Sequence, residues 1–129
     1  MSAARILTVA GLVSGILQVL LGLLIWFGLS TPWLSIHIPN GLLFSVLLLV
    51  VAILGLRARL PRGKPILALA WAVLLPAFGM AQAAILPGGA HWIMQVLHLA
   101  VGLVGIGLLR TIGDALHERS QDKGRLGKA

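Results

Sequence analysis

The chain of 129 residues contains no cysteine and only three acidic residues, Asp114, Glu118 and Asp122, all near its C-terminus. The missing thiols exclude disulfide exchange, thiolate metal centres and covalently attached c-type haem. Charge of either sign is scarce: 10% of the residues are Asp, Glu, Lys or Arg, against roughly 25% in an average soluble domain. From Ile6 to Leu56 and again from Pro65 to Leu109 there is none at all, over 51 and 45 residues. A helix crosses a bilayer with about 20 apolar residues, so each block is long enough for two crossings. That excludes a soluble enzyme, a nucleic-acid-binding domain and a secreted module. The N-terminal run from Ile6 to Leu29 exceeds the roughly 7–15 residues of a signal-peptide core and reads as a retained helix.

What is present divides each apolar block. Ser30-Thr31-Pro32 and Pro39-Asn40-Gly41 interrupt the first, and Pro87-Gly88-Gly89 the second, because clusters of Pro and Gly punctuate helices. The spans fall at about 6–29, 36–56, 65–86 and 91–109. The expected fold is all-α, an integral membrane up-down four-helix bundle over residues 1–110, followed by a polar tail, 111–129, that extends the fourth helix. All ten Lys and Arg residues lie on one side, before span one, between spans two and three, or after span four. Cytoplasmic loops accumulate these residues, so both termini are expected in the cytoplasm. The net charge of +7 is then mainly a topology signal, with weak attraction to anionic lipid. Trp26, Trp33 and Trp92 are expected at the outer interface and Trp71 near the inner one.

Helical periodicity places polar and small residues on common stripes. In span one these are Gly11, Ser14, Gly15, Gln18 and Gly22; in span four, His91, Gln95, His98, Gly102 and Gly105. Span two aligns His37, Gly41, Phe44, Leu48 and Gly55, and span three carries Gln82 and a kink at Pro76. Glycine stripes are mostly helix-packing faces, and Gly11-x-x-x-Gly15 is also a candidate face for a homo- or hetero-oligomer. Ionisable groups inside a membrane mark functional sites. No carboxylate lies in any span, which argues against a carboxylate-based proton antiporter and leaves histidine.

Spans two and four run in the same direction and sit diagonally in an up-down bundle, where cofactors are held by side chains on facing helices. His37 and His98 are therefore candidate ligands for haem iron. Each has a glycine one turn on, Gly41 and Gly102, which would leave room for a flat macrocycle. Gln18 and Gln82 are candidates for the hydrogen bonds that set the imidazole tautomers. Counting from Arg57 and Arg110 places His37 20 residues and His98 12 residues from the basic edge, an offset of roughly 12 Å at 1.5 Å per residue. A tilt, an irregular start to span two or a deeper inner end of span four would absorb it; otherwise His91 pairs with His37. The ordinary alternatives are interfacial histidines beside Trp for His37 and His91, and a neutral imidazole bonded to Gln18, Gln82 or a carbonyl for His98. His117, among Asp114, Glu118 and Arg119, is expected to be solvated.

Gln18-Val19-Leu20-Leu21-Gly22 in helix one, His37-x-x-x-Gly41 opening helix two, a short basic loop and His98 in helix four form a pattern. It resembles one four-helix half of the haem A synthase family, and related small bacterial membrane proteins. The resemblance spans residues 6–110 and implies that His37 and His98 are haem ligands, and that the membrane is a bacterial cytoplasmic (inner) one. That family uses an acidic residue near its outer haem, which has no counterpart here, so the resemblance implies haem binding rather than synthase activity. Haem propionates, meeting no Lys or Arg on that side, would rely on water, backbone N–H groups, His91 or Trp N–H.

Two function classes follow. The first is a small b-type cytochrome with haem b between His37 and His98, passing electrons to a quinone or another membrane redox subunit, without bond-making chemistry of its own. The second is a non-catalytic accessory or assembly subunit of a larger membrane complex. A transporter is a weaker third reading, resting on Pro76, Gln18 and Gln82.

Overall fold

The computed structural model describes residues 3–126, and among them the only regular structure is helical. Four long helices are α1 (Ala3–Trp26), α2 (Ser30–Arg57), α3 (Gly63–Ala81) and α4 (His91–Leu126), with a short 3-10 turn at Gln82–Ala84. All four are long and apolar enough to cross a membrane. Large apolar side chains such as Val13, Ile16, Val73, Met80 and Leu103 stand exposed on their outer faces, as lipid-facing surfaces require.

The first turn falls earlier than its prolines suggest. Gly28, at φ +91°, closes α1: its N–H bonds the Ile25 carbonyl at 3.1 Å and the Leu29 N–H reaches the Leu24 carbonyl at 3.0 Å. This paired pattern with a left-handed glycine ends helices abruptly. Pro32 then lies in the first turn of α2, where a missing N–H costs little. The helix continues through Pro39, so span two begins at Ser30 rather than near 36. Asn favours turns by bonding its own nearby backbone; Asn40 instead spends its carboxamide on α1, and the turn expected there does not form.

The second turn has the same hydrogen-bond pattern built on a non-glycine residue. Arg59 takes φ 55°, its N–H bonds the Leu56 carbonyl, and Leu60 N–H bonds Gly55 at 3.0 Å. Leu60 then tucks into the core. Each helix packs on its chain neighbour, α1 closes onto α4, and α2 crosses the diagonal to touch α4.

The fourth helix has 36 residues, roughly 54 Å of length at 1.5 Å per residue. It does not leave the bundle at residue 110: Ile112 and Leu116 belong to the core with Leu48, Val51, Ala52, Leu60 and Leu109. The Arg119 guanidinium donates to the Ala58 carbonyl, joining α4 to the end of α2. His117 is not merely solvated. Its Nε2 lies 3.1 Å from Arg5 Nη1 on α1 and 2.9 Å from Gln121 Nε2.

The glycine stripe of α1 is occupied within the chain. A side chain at Gly11 would meet Leu109, and one at Gly15 would meet Ile106 and Phe44. Gly113 packs against Thr8 in the same seam. An oligomer would therefore have to use another face. Trp71 also departs from the aromatic-belt expectation: it is half-buried, and its indole N–H donates to the Val101 carbonyl at 2.8 Å, tying α3 to α4.

Candidate functional site

At the end of the bundle away from the basic loop, α2 and α4 bring two imidazoles together. The ring centres of His37 and His98 are 6.2 Å apart and their planes are inclined by 53°. His91 makes no such contact with His37; it opens α4 and lines the surrounding space. The depth offset expected from the charges vanishes for a simple reason. His37 precedes Phe44 by seven residues and His98 precedes Gly105 by seven, and a Cβ at Gly105 would lie 3.2 Å from the Phe44 ring. Arg110, by contrast, is exposed and pairs with Asp114 one turn on. A long arginine can lie along apolar surface and reach toward the headgroups, so it does not mark the membrane edge.

A continuous polar network holds His37 from the α1 side. Ser14 Oγ donates to Asn40 Oδ1 at 3.0 Å, and Asn40 Nδ2 donates to the Ser14 carbonyl at 3.0 Å. The same Nδ2 donates to Gln18 Oε1 at 2.7 Å, and Gln18 Nε2 lies 2.9 Å from His37 Nε2. Gln18 thus holds the place the sequence suggested and Ser14 lies buried on its expected stripe, whereas Asn40 was read as part of a turn. Asn40 is hidden in the sequence between Pro39 and Gly41, where it looks like turn material. Its one signal was position: Ser14 and Gln18 share a stripe on α1, and a facing donor completes it.

The glycines divide their work differently from the expected pairing. Beside Gly41 sits the Gln18 amide, 2.7 Å from where a Cβ would be, so this glycine makes room for the network rather than for a macrocycle. Gly102 has open space beside it. Two other glycines, Gly22 of the α1 stripe and Gly79, which no spacing singled out, seat the rings: a Cβ at Gly79 would meet His98 Cε1 at 3.1 Å, and one at Gly22 would meet His37 Cε1 at 3.4 Å. Phe78 on α3 also contacts the His98 ring, at 5.8 Å between centres.

Space lies on both sides of the histidine pair. A cavity of about 410 Å³ extends past Gly41, Phe44, Pro76 and Gly79 toward α2 and α3. A second, of about 170 Å³, extends past Gly22, Trp26 and Gln95 between α1 and α4. His37, His98, His91, Gln18, Gln82 and Gly102 border both. Several polar atoms here are buried without a hydrogen-bond partner: Nδ1 of His37, His91 and His98, and Oε1 of Gln82. An unpaired buried polar group costs roughly 1–3 kcal/mol, and the protein's own side chains leave these atoms facing the cavities.

The donor set fits haem. With metal–nitrogen bonds of about 2.0–2.1 Å and about 1.1 Å from nitrogen to ring centre, imidazoles on opposite sides of one iron have centres roughly 6 Å apart. The observed separation matches. Two imidazoles are too few to enclose a bare ion, but they suit iron that brings four porphyrin nitrogens with it. Open space on both flanks of the pair is what a flat macrocycle requires. No protein-family model, curated protein or solved structure matches this chain.

Proposed function

We propose that the chain is a small membrane b-type cytochrome that holds one haem b between His37 on α2 and His98 on α4 and serves electron transfer. The observation that carries this reading is the histidine pair itself, 6.2 Å between ring centres, with a cavity on either side. Haem supplies a one-electron couple, and the protein tunes it through ligands, hydrogen bonds and burial. His37 and His98 would hold the iron, Gly79 and Gly22 let their rings approach the neighbouring helices, and Gln82 offers an acceptor within the cavity. Electrons pass to or from a quinone or a partner redox subunit. The protein lies in a bacterial cytoplasmic membrane with both termini inside, a reading supported by Lys and Arg gathered at one end of the helices. The same histidine pattern supports the likeness to one half of the haem A synthases, without their acidic residue.

The test is a dithionite-reduced minus oxidised visible spectrum of the full chain in mild detergent, from cells supplied with haem. A sharp low-spin α band that disappears in both His37→Ala and His98→Ala is the expected result. A flat spectrum from the folded protein overturns the proposal and leaves the accessory-subunit reading.

A further inference from the structure

The polar network has a direction, and the direction is set by a backbone atom. The Ser14 carbonyl can only accept, so the Asn40 atom 3.0 Å from it must be the amide nitrogen. Its remaining hydrogen goes to the Gln18 atom at 2.7 Å, which must therefore be the amide oxygen. The other end of the Gln18 carboxamide is then an NH2 group, and it can only donate to the His37 nitrogen 2.9 Å away. The Asn40 oxygen, left over, accepts from the Ser14 hydroxyl. Both hydrogens and the oxygen of the Asn40 carboxamide are used, and the bond to the Ser14 carbonyl excludes the reversed arrangement.

We infer that Asn40 is a positioning residue that locks His37 in the tautomer with Nδ1 protonated and a lone pair on Nε2. That lone pair is what a metal ion takes. The network therefore prepares His37 as a ligand before any metal arrives, with the Gln18 N–H occupying the coordination position. A neutral imidazole without such a constraint populates both tautomers. The tautomer follows from the network alone; its use in ligation rests on the cytochrome reading. A donor on that lone pair gives way when a metal arrives, so the bond fixes the tautomer of the metal-free protein, and Asn40, two bonds removed from the ring, acts through Gln18.

The experiment is 15N NMR of the haem-free full chain, labelled at histidine and reconstituted in lipid, with His37 assigned by its loss in His37→Ala. In the unsubstituted protein Nε2 of His37 is expected as a non-protonated, pyridine-type nitrogen and Nδ1 as a protonated, pyrrole-type one. A protonated Nε2 overturns the inference without any variant. Ser14→Ala removes the hydroxyl but keeps the backbone carbonyl, and is expected to leave the tautomer unchanged. Asn40→Leu removes the direction, and is expected to give both tautomers. An unchanged single tautomer in folded Asn40→Leu also overturns it. If Asn40→Leu does not fold, Gln18→Leu, which removes only the last donor, takes its place with the same expectation. The two proposals fail separately. A non-protonated Nε2 with no haem spectrum sinks the cytochrome alone, and a haem spectrum with a protonated Nε2 sinks the positioning role alone.

Discussion

The two halves of the bundle are built on opposite principles. Toward the basic loop, Leu48, Val51, Ala52, Leu109 and Ile112 interdigitate with essentially no exposed surface. Toward the other end the same four helices part around two cavities, bordered by three histidines and three glutamines. One half is dry and close-packed; the other is hollow and polar. In a bilayer, lipid tails are as apolar as leucine, so helices associate through close packing and hydrogen bonds rather than by escaping water. The dry half provides the packing. It frees the other half to keep buried polar atoms without partners, which a bundle of uniform construction would not tolerate.

The division of labour can be broken by substitution. The largest effect is expected in the dry half. Leu48→Ala should lower stability by about 2–5 kcal/mol, read as reversible unfolding in mixed detergent micelles. Haem binding per folded molecule should be unchanged. A loss below about 0.5 kcal/mol would mean that the packed half does not carry the fold, since even Ile→Val in a core usually costs that much.

A smaller and more selective effect is expected at the glycines of the hollow half. Gly79→Ala places a methyl 3.1 Å from the His98 ring and should shift the haem α band and midpoint potential. Its stability cost should be under about 1.5 kcal/mol, as for modest volume changes. Gly102→Ala meets nothing in the protein and should raise stability by about 0.4–1 kcal/mol, through the entropy of the unfolded chain. If Gly79→Ala left the spectrum untouched, the seat assigned to His98 would be wrong. The smallest effect belongs to the surface: Asp114→Asn breaks an exposed pair with Arg110 and should change stability by about 0.5 kcal/mol or less. A larger loss would place that pair inside an interface.

Much of the molecule was legible before folding was considered. The absence of charge over two long blocks pointed to four apolar helices, because only helices and closed barrels satisfy their backbone in lipid, and barrel strands alternate apolar with polar residues. The histidines stood out because nothing else ionisable occupied the spans. The turn at Gly28 was missed because Pro32 and Pro39 are louder signals, although a proline near a helix start is harmless and a left-handed glycine is decisive. Arg110 misled the depth count because a charged residue marks an interface only when its head must stay at the level of its Cα, and arginine's need not.

Sequence alone therefore determined the class of the molecule and the residues available for chemistry, since composition and periodicity act locally along the chain. Tertiary structure decided which of them meet. The packing of Phe44 against Gly105 reflects a register of α4 against α2 that no single helix encodes, and that register brings His98 rather than His91 to His37. The orientation of Asn40 was likewise undecided until α1 lay beside α2. A carboxamide presents a donor and an acceptor of nearly equal size, and only a neighbouring backbone carbonyl, which can do nothing but accept, tells it which way to face.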